Sequence, residues 1–403
     1  MPASWTPTIL TATEDTSDIL QTERKFDVAD IVFQLEPSKA PLLRLTGGAG
    51  GPWGDIGPQI EKEVATDPDF RYFEDQLVPW ITAVNNVGGY NAAATSIVVD
   101  NGAYGKIGDV VIVGRTLERW LITNVVTNTW TVTRSLGAVA AQTVNDNEEV
   151  MILSDASVEG SSAPNERMTQ KVQRINYIQP IRHAWSMTRT LQNTKLYTGN
   201  DWAYQSKKAL VEFAIKCERS LYWGERSQDT TTNATPRRTS GGLLEFITAN
   251  VKDINNNALT ENAFEDFCRQ AFRYNAMGNN NQKFLLCSPL IVSAVSSWAK
   301  SRLYMNAAAK AYGMRVMTYE SGAGTVHLVP SWLMQDSATF RSWGFLLDVP
   351  NIKIRYEQGS DTQVEENIQL PGDHIRRDGV FAYLGWQIAL DDTHGIIQNV
   401  GGY

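Results

Sequence analysis

The residues that could do chemistry are few and scattered. Four histidines, His183, His327, His374 and His394, lie far apart in the chain, and none begins an HExxH or other zinc-type spacing. Three cysteines, Cys217, Cys268 and Cys287, sit inside apolar patterns without metal-type spacing. Odd in number, they read as reduced, buried thiols rather than disulfide or zinc partners. The densest polar cluster is Asp391-Asp392-Thr393-His394. Paired carboxylates beside a histidine could hold a cation, but Asp-Asp at a strand end more often caps a turn. The run GGAGGPWGDIG from Gly47 invites a phosphate-loop reading, yet it lacks the Lys-Ser/Thr pair and carries Pro52 and Trp53 where a nucleotide-binding helix would begin. A loop or hinge is the better reading. No GxSxG elbow occurs, and Glu148-Glu149 reads as the solvated start of a strand. The expectation is a chain with no catalytic, cofactor-binding or metal-binding residues, and not an enzyme. Arg237-Arg238 and Arg376-Arg377 fall on loops; a solvated surface accounts for them, and the sharper alternative is salt bridges to a neighbouring subunit, which guanidinium forks suit.

The elements that would position such residues centre on DWAYQSKKALVEFAIKCERSLYWGER, the longest uninterrupted helical pattern in the chain. Leu210, Phe213, Ala214, Cys217 and Leu221 recur at steps of three and four and are expected to form the core face of a long spine helix. Lys207, Lys208, Glu212, Lys216, Glu218 and Arg219 fall on the opposite face, Asn200 or Asp201 can cap the start, and Gly224 marks the stop.

Before the spine, residues 1 to about 26 are polar and without period, and Val28, Ile31, Val32 and Leu35 make a short amphipathic helix stopped by Pro37. From Ile81 to Leu153 the texture changes to short β-branched runs, DVVIV, RWLITNVV and TWTVTR among them, separated by Asn, Asp and Gly turns. This predicts a small all-β sandwich or barrel. The aromatic, extended segments Phe70 to Trp80 and Lys171 to Trp185 bracket it and could pair as arms of one hairpin. After the spine, strands and helices alternate over roughly 110 residues, a typical domain length. Thr260 is expected to cap one helix, and Ser288 with Pro289 to open another. The last segments, IKIRYEQ and FAYLGWQIALDDTHGIIQNV, return to strands expected to lie in a sheet beneath the spine.

Composition narrows the function classes. Of 403 residues, 42% are hydrophobic, which supports folded units, and the net charge of -8 argues against a general nucleic-acid binder. No apolar run of about 18 residues and no signal-peptide pattern occurs, so a chain folded in a cytoplasm and not in a membrane is expected.

The order of these parts resembles the major capsid (major head) protein of tailed bacteriophages with the Hong Kong 97-type fold. ADIVFQLEPSKAPLLRLTGG looks like the opening of a subfamily that carries a β-domain in its extended loop. FRYFEDQLVP and RINYIQPIRHAWSMTRT look like that loop's outgoing and returning strands, and DDTHGIIQNV like the C-terminal strand. The resemblance implies an α+β fold: an N-terminal arm over 1–50, an extended loop over 51–81 and 154–195, an inserted β-domain over 82–153, a peripheral domain over 196–240 and 351–403, and an axial domain over 241–350.

It further implies a structural protein of the virion, assembled in the host cytoplasm by self-assembly into hexamers and pentamers of an icosahedral shell. Virus maturation by expansion, a portal, confined double-stranded DNA without sequence-specific binding, and no cofactor belong to the same implication. With about 50 residues before the loop, a separate scaffolding protein is expected. The inserted β-domain is expected to stabilise the shell from outside. Some relatives join subunits by Lys-Asn isopeptide bonds; Lys62 and Lys171 are placed as donors by position, but nothing in the sequence sets an asparagine beside them, and the bond is not expected. Two other readings remain open: an encapsulin-like cargo compartment sharing the fold, and a carbohydrate-binding or carbohydrate-active protein with a β accessory module.

Overall fold

A computed structural model of the chain describes residues 60–160, 166–194, 201–229, 236–275, 281–302, 310–311, 314–315 and 317–401. The expectations for the N-terminal arm, its helix and the Gly47 cluster lie outside the described residues. The elements are mixed α and β, and they divide into two bodies: residues 72–174, and the remainder.

In the larger body the chain enters on β1 (Glu61–Ala65) and leaves on the first half of β2 (Asp69–Glu74). The smaller body holds β3 (Ile81–Ala83), β4 (Ser96–Val98), β5 (Asp109–Val113), β6 (Arg119–Val126), β7 (Thr129–Thr133) and β8 (Glu149–Asp155). These six pair in the order β3-β8-β5-β6-β7-β4, all antiparallel. The period of two is visible in burial: in β7, Trp130 and Val132 face the core while Thr129, Thr131 and Thr133 face out. Val84, Ile97, Val111, Val113, Trp120, Ile122, Trp130 and Val150 form its core. The indole of Trp130 donates to the Gly102 carbonyl at 2.8 Å, and a Cβ at Gly102 would run into the Thr127 carbonyl, so only glycine fits there. The turn carboxylate that the sequence left in solvent, Glu148, is buried and accepts from the Asn145 N–H at 2.8 Å and from Arg115 at 3.1 Å.

The chain returns on β9 (Val172–Tyr177), which pairs with β2 as a two-stranded ribbon, and continues as β10 (Gln179–Thr188) into α1 (Arg189–Asn193) and α2 (Asp201–Trp223). Then come β11 (Ser227–Asp229), β12 (Arg237–Thr239), α3 (Leu243–Phe246), β13 (Val251–Asp253), α4 (Glu261–Ala271), β14 (Gln282–Cys287), α5 (Pro289–Arg302), β15 (Lys310–Ala311), β16 (Met314–Arg315), β17 (Met317–Glu320), β18 (Thr325–Pro330) and α6 (Trp332–Gln335). The last strands are β19 (Gly344–Leu347), β20 (Ile352–Glu357), β21 (Gln363–Glu365), β22 (Ile375–Ile388) and β23 (Gly395–Gln398).

Two sheets organise this body. One runs β1-β20-β22-β10, with β21 also on β22; the other runs β13-β23-β19-β14-β18-β17. The second is buried on both faces, which is why β14 and β19 read as near-continuous apolar runs. Phe284, Leu286, Phe345 and Leu347 point to one core, shared with α2 and the first sheet, while Leu285, Cys287 and Leu346 point to another with Phe264, Phe267 and Cys268 of α4 and Ile291 and Val295 of α5. Thr260 caps α4, accepting from the Ala263 N–H at 3.3 Å.

Two sequence readings need correction. The buried face of α2 is Ala209, Phe213, Cys217, Glu218, Leu221 and Tyr222. Leu210 is 40% exposed and Ala214 half-buried, because the contact stripe begins one residue earlier and is widened by Glu218, which the sequence placed on the solvent side. The second concerns the C-terminal segment. β20 and β22 do lie in the sheet that packs on α2, but a left-handed Leu390 (φ 58°) and the turn Asp391–Thr393 redirect the chain, and β23 joins the other sheet between β13 and β19.

Candidate functional site

The cysteines, His327 and the Asp391–His394 cluster are held within the packed structure. The three cysteines are buried and free, and burial pushes the thiols of Cys217 and Cys268 up to about 12 and that of Cys287 higher still. Thiols held so far from ionisation are poor nucleophiles. His327 is buried against the Phe284 ring, centroids 5.1 Å apart, and desolvation lowers its pKa.

The Asp391–His394 cluster is a turn, not a cation site. Asp391 accepts from the backbone N–H groups of Thr248 and Ala249 at 2.8 and 3.2 Å and from the Thr248 hydroxyl at 2.7 Å. His394 is fully buried: its Nδ1 accepts from the Asp348 N–H at 3.1 Å, so Nε2 carries the proton and donates to the Ala389 carbonyl at 3.2 Å. Burial first, and then the Lys283 cation, bring its pKa down to about 4, which leaves a neutral imidazole. Lys283, buried within β14, donates to the carbonyls of Ala271 at 2.6 Å, Tyr274 at 2.9 Å and Thr393 at 2.6 Å. Desolvation lowers its pKa to about 8. A residue type that usually marks reactivity here ties α4 and its following turn to the segment before β23. Among the described residues no group of three or more His, Cys, Asp or Glu could hold a metal ion.

Other buried polar groups, which no sequence pattern marks, do similar work. Asn176 donates through Nδ2 to the carbonyls of Gly241 at 3.0 Å and Trp386 at 2.6 Å, and its Oδ1 accepts from the N–H groups of Gly241 and Tyr177 at 2.8 Å each. All four bonding capacities of the amide are used, joining β9, the glycine turn after β12 and β22. In the smaller body, Glu118 and Arg134 form a buried bidentate pair at 2.9 and 2.6 Å, and the same carboxylate accepts from the Ser135 and Gln142 N–H groups at 3.2 Å. Burial opposes ionisation of Glu118, but Arg134 and these donors outweigh it and its pKa is lowered.

Of the arginines expected to reach a neighbour, Arg376 is engaged within its own chain. It lies 3.0 Å from Asp378, 3.9 Å from Glu366, and over the Trp202 ring at 4.5 Å. An intersubunit bridge from Arg376 would have to displace these partners. Neither pair falls on a loop as expected: Arg376 and the exposed Arg377 lie on β22, and Arg237 and Arg238 on β12, opposite Asp229 and Gln228, because each pair is taken up in an antiparallel ladder. The spine-helix residues Phe213, Cys217 and Leu221 are buried.

What the chain presents outward is apolar surface. Along and beside the β2–β9 ribbon, Phe73 is 64% exposed, Leu77 93%, Trp80 54%, Met168 83% and Val172 57%. Phe73 and Val172 stand on the two strands and Leu77, Trp80 and Met168 in the segments that flank them, and exposed apolar side chains grouped in this way mark a surface for another macromolecule.

Comparison with known proteins gives this surface a context. The sequence model of a family described as SU10 major capsid protein matches residues 10–401. A curated protein of Pseudomonas phage PaMx41, described as a major capsid protein, is 23% identical over 253 residues, which is 60% of this chain and 60% of that relative's length. Among solved structures, one of Mycobacterium phage Bobi aligns over 96% of this chain and 99% of its own at 7% identity, with a TM-score of 0.48. The holo-SrpI encapsulin complex from Synechococcus elongatus aligns over 58% of this chain and 78% of its own at 14% identity, with a TM-score of 0.43.

Proposed function

The chain belongs to the SU10 major capsid protein family, and from that premise we propose that it is the repeating subunit of a tailed-phage head, built on the Hong Kong 97-type fold. Identical copies associate as hexamers and pentamers into a closed icosahedral shell around double-stranded DNA, with a portal at one vertex and a separate scaffolding protein during assembly. The observation that carries this reading is the family match over residues 10–401. The exposed apolar side chains of the β2–β9 ribbon support it, since a two-stranded ribbon has too little core of its own to be stable in water and gains it from neighbouring copies.

In this reading the parts fall as the resemblance implies. Residues 51–81 and 154–195 are the extended loop, 82–153 the insertion, 196–240 and 351–403 the peripheral domain around α2, and 241–350 the axial domain. No reaction is assigned to any part. The six-stranded sheet of the insertion, with a hydrophobic core of its own, serves as a clamp on the outer face of the shell.

One experiment tests both statements. The purified full-length chain is expected to form closed shells or rings of subunits in negative-stain microscopy. A variant with residues 82–153 replaced by a short linker is expected to form shells that break at lower temperature. A chain that stays monomeric at all concentrations contradicts the shell reading, and unchanged heat resistance of the variant contradicts the clamp.

A further inference from the structure

The stretch of chain that leads into β9 lies outside any helix or strand, yet it is held at two points. The guanidinium of Arg167 donates to the Tyr104 carbonyl, and its Nη1 lies 3.4 Å from Oδ2 of Asp109, the first residue of β5. Two residues further on, the Thr169 hydroxyl donates at 3.0 Å to Asp75, in the segment that leads from β2 into the insertion. Residues 166–171 thus touch the insertion through one side chain and its outgoing connection through another. The receiving carboxylate is in a costly place. The Asp109 side chain is 3% exposed, and its ladder partner on β8 is Asp155, so two like charges stand directly opposite. Oδ2 also accepts the Lys106 N–H at 2.9 Å, and the cations that face it are Arg167 and Lys106. Burial raises the pKa of Asp109 from its ordinary 3.8, against the pull of that N–H and then of Arg167. The anion is the disfavoured form at this site, and a cation that supports it is carried by the irregular segment.

We propose that residues 166–171 are a strap, latched by Arg167 onto Asp109, and that the negative charge of Asp109 decides whether the strap is closed. The coupling is mutual: Arg167 held close favours the anion, and loss of the charge leaves Arg167 only the Tyr104 carbonyl. Closed, the strap ties the returning connection to the insertion and, through Thr169 and Asp75, to the outgoing connection. Open, it frees the returning connection, while the outgoing one stays tied where the Ile152 N–H donates to the Trp80 carbonyl at 2.8 Å. The strap belongs to the single chain, so its test reads the same whether or not copies assemble.

Trypsin reads the latch directly, because its specificity pocket takes up the arginine side chain itself. Lys171, exposed at the end of the same segment, is the reference, and Arg119 on β6 reports whether the insertion stays folded. The full-length chain is digested briefly and the cuts are timed by mass spectrometry, each rate divided by that of the same bond in a synthetic peptide of residues 160–176. In the natural sequence the normalised rate after Arg167 is expected to be lower than that after Lys171. In Asp109→Asn, which keeps the shape and removes the charge, the ratio of the two is expected to rise at least about fivefold while the bond after Arg119 stays protected. If Asp109→Asn does not fold, Arg167→Lys carries the test: it leaves the insertion untouched, loses the fork that spans Tyr104 and Asp109, and is expected to raise the ratio at least about twofold. Equal normalised rates at the two bonds in the natural sequence, or an unchanged ratio in the folded variant, would overturn the latch.

Discussion

Among individual residues, His394 and Lys283 carry buried titratable groups whose shifted pKa values couple the larger body's stability to pH. Both belong to residue types that often signal reactivity, and both make only structural bonds here. The folded-state pKa of His394 is lowered to about 4 from its ordinary 6.5. The unfolded chain therefore takes up a proton below pH 6.5 that the folded chain refuses, so stability is full above that value and is lost as pH falls towards 4. The loss is on the order of 3 kcal/mol. Urea midpoints measured from pH 7.5 to pH 4 are expected to fall steeply across this window, and the fall should be shallower in His394→Gln. Parallel slopes in the two proteins would mean that His394 is protonated in the folded state. At this scale the sequence was informative in one direction only. The reading of Asp391-Asp392 as a turn cap agrees with the bonds of Asp391 to Thr248 and Ala249. Asn176 and Glu118 were invisible, because a lone amide or carboxylate in sequence gives no sign that backbone groups tens or hundreds of residues away will close around it.

Elements of the smaller body depend on a single buried ion pair. Glu118 precedes β6 and Arg134 follows β7, so their pairing closes the β6–β7 hairpin, and the guanidinium also lies 5.1 Å from the Trp120 ring centroid. Glu118→Gln leaves the Arg134 cation buried without its anion, at a cost of roughly 3–5 kcal/mol. Hydrogen exchange in peptides covering 119–133 is expected to accelerate strongly, while peptides of β14 and β19 keep their protection. Uniform acceleration across the chain, or none, would show that the pair does not govern this sheet. Element type was largely legible from pattern. The alternation of TWTVT became β7, since a half-buried strand shows a period of two in sequence. Pairing was much less legible. Strand β1 lies parallel to β20, nearly 300 residues later, joined by Glu61 to Lys353 at 3.0 Å and Glu63 to Arg355 at 2.7 Å. Nothing in EKEVA selects IKIRYE over any other strand with complementary charges. The one-residue error at Leu210 has a similar origin: steps of three and four fix the width of an apolar stripe, but its centre is set by whatever packs against it.

For the whole molecule, the account rests on a division of labour between buried and exposed surface. The two sheets and α2 bury two hydrophobic cores, and His394, Lys283 and Asn176 among the buried polar groups are tied to backbone. On and beside the β2–β9 ribbon Phe70 and Tyr72 are buried, but Phe73, Leu77, Trp80, Met168 and Val172 are exposed. Each fully covered side chain of this kind contributes about 1.5–3 kcal/mol, so a neighbouring copy laid over five of them supplies a binding contribution that the isolated chain forgoes. The resemblance to phage head proteins was legible from the order of segments, and the family match extends it over residues 10–401. A cryo-electron microscopy map of the assembled particle tests the central claim most directly. The account predicts that Phe73, Leu77, Trp80, Met168 and Val172 each lie within about 4.5 Å of atoms from another copy; a particle in which these side chains stay in solvent, or fold back on their own chain, would contradict it.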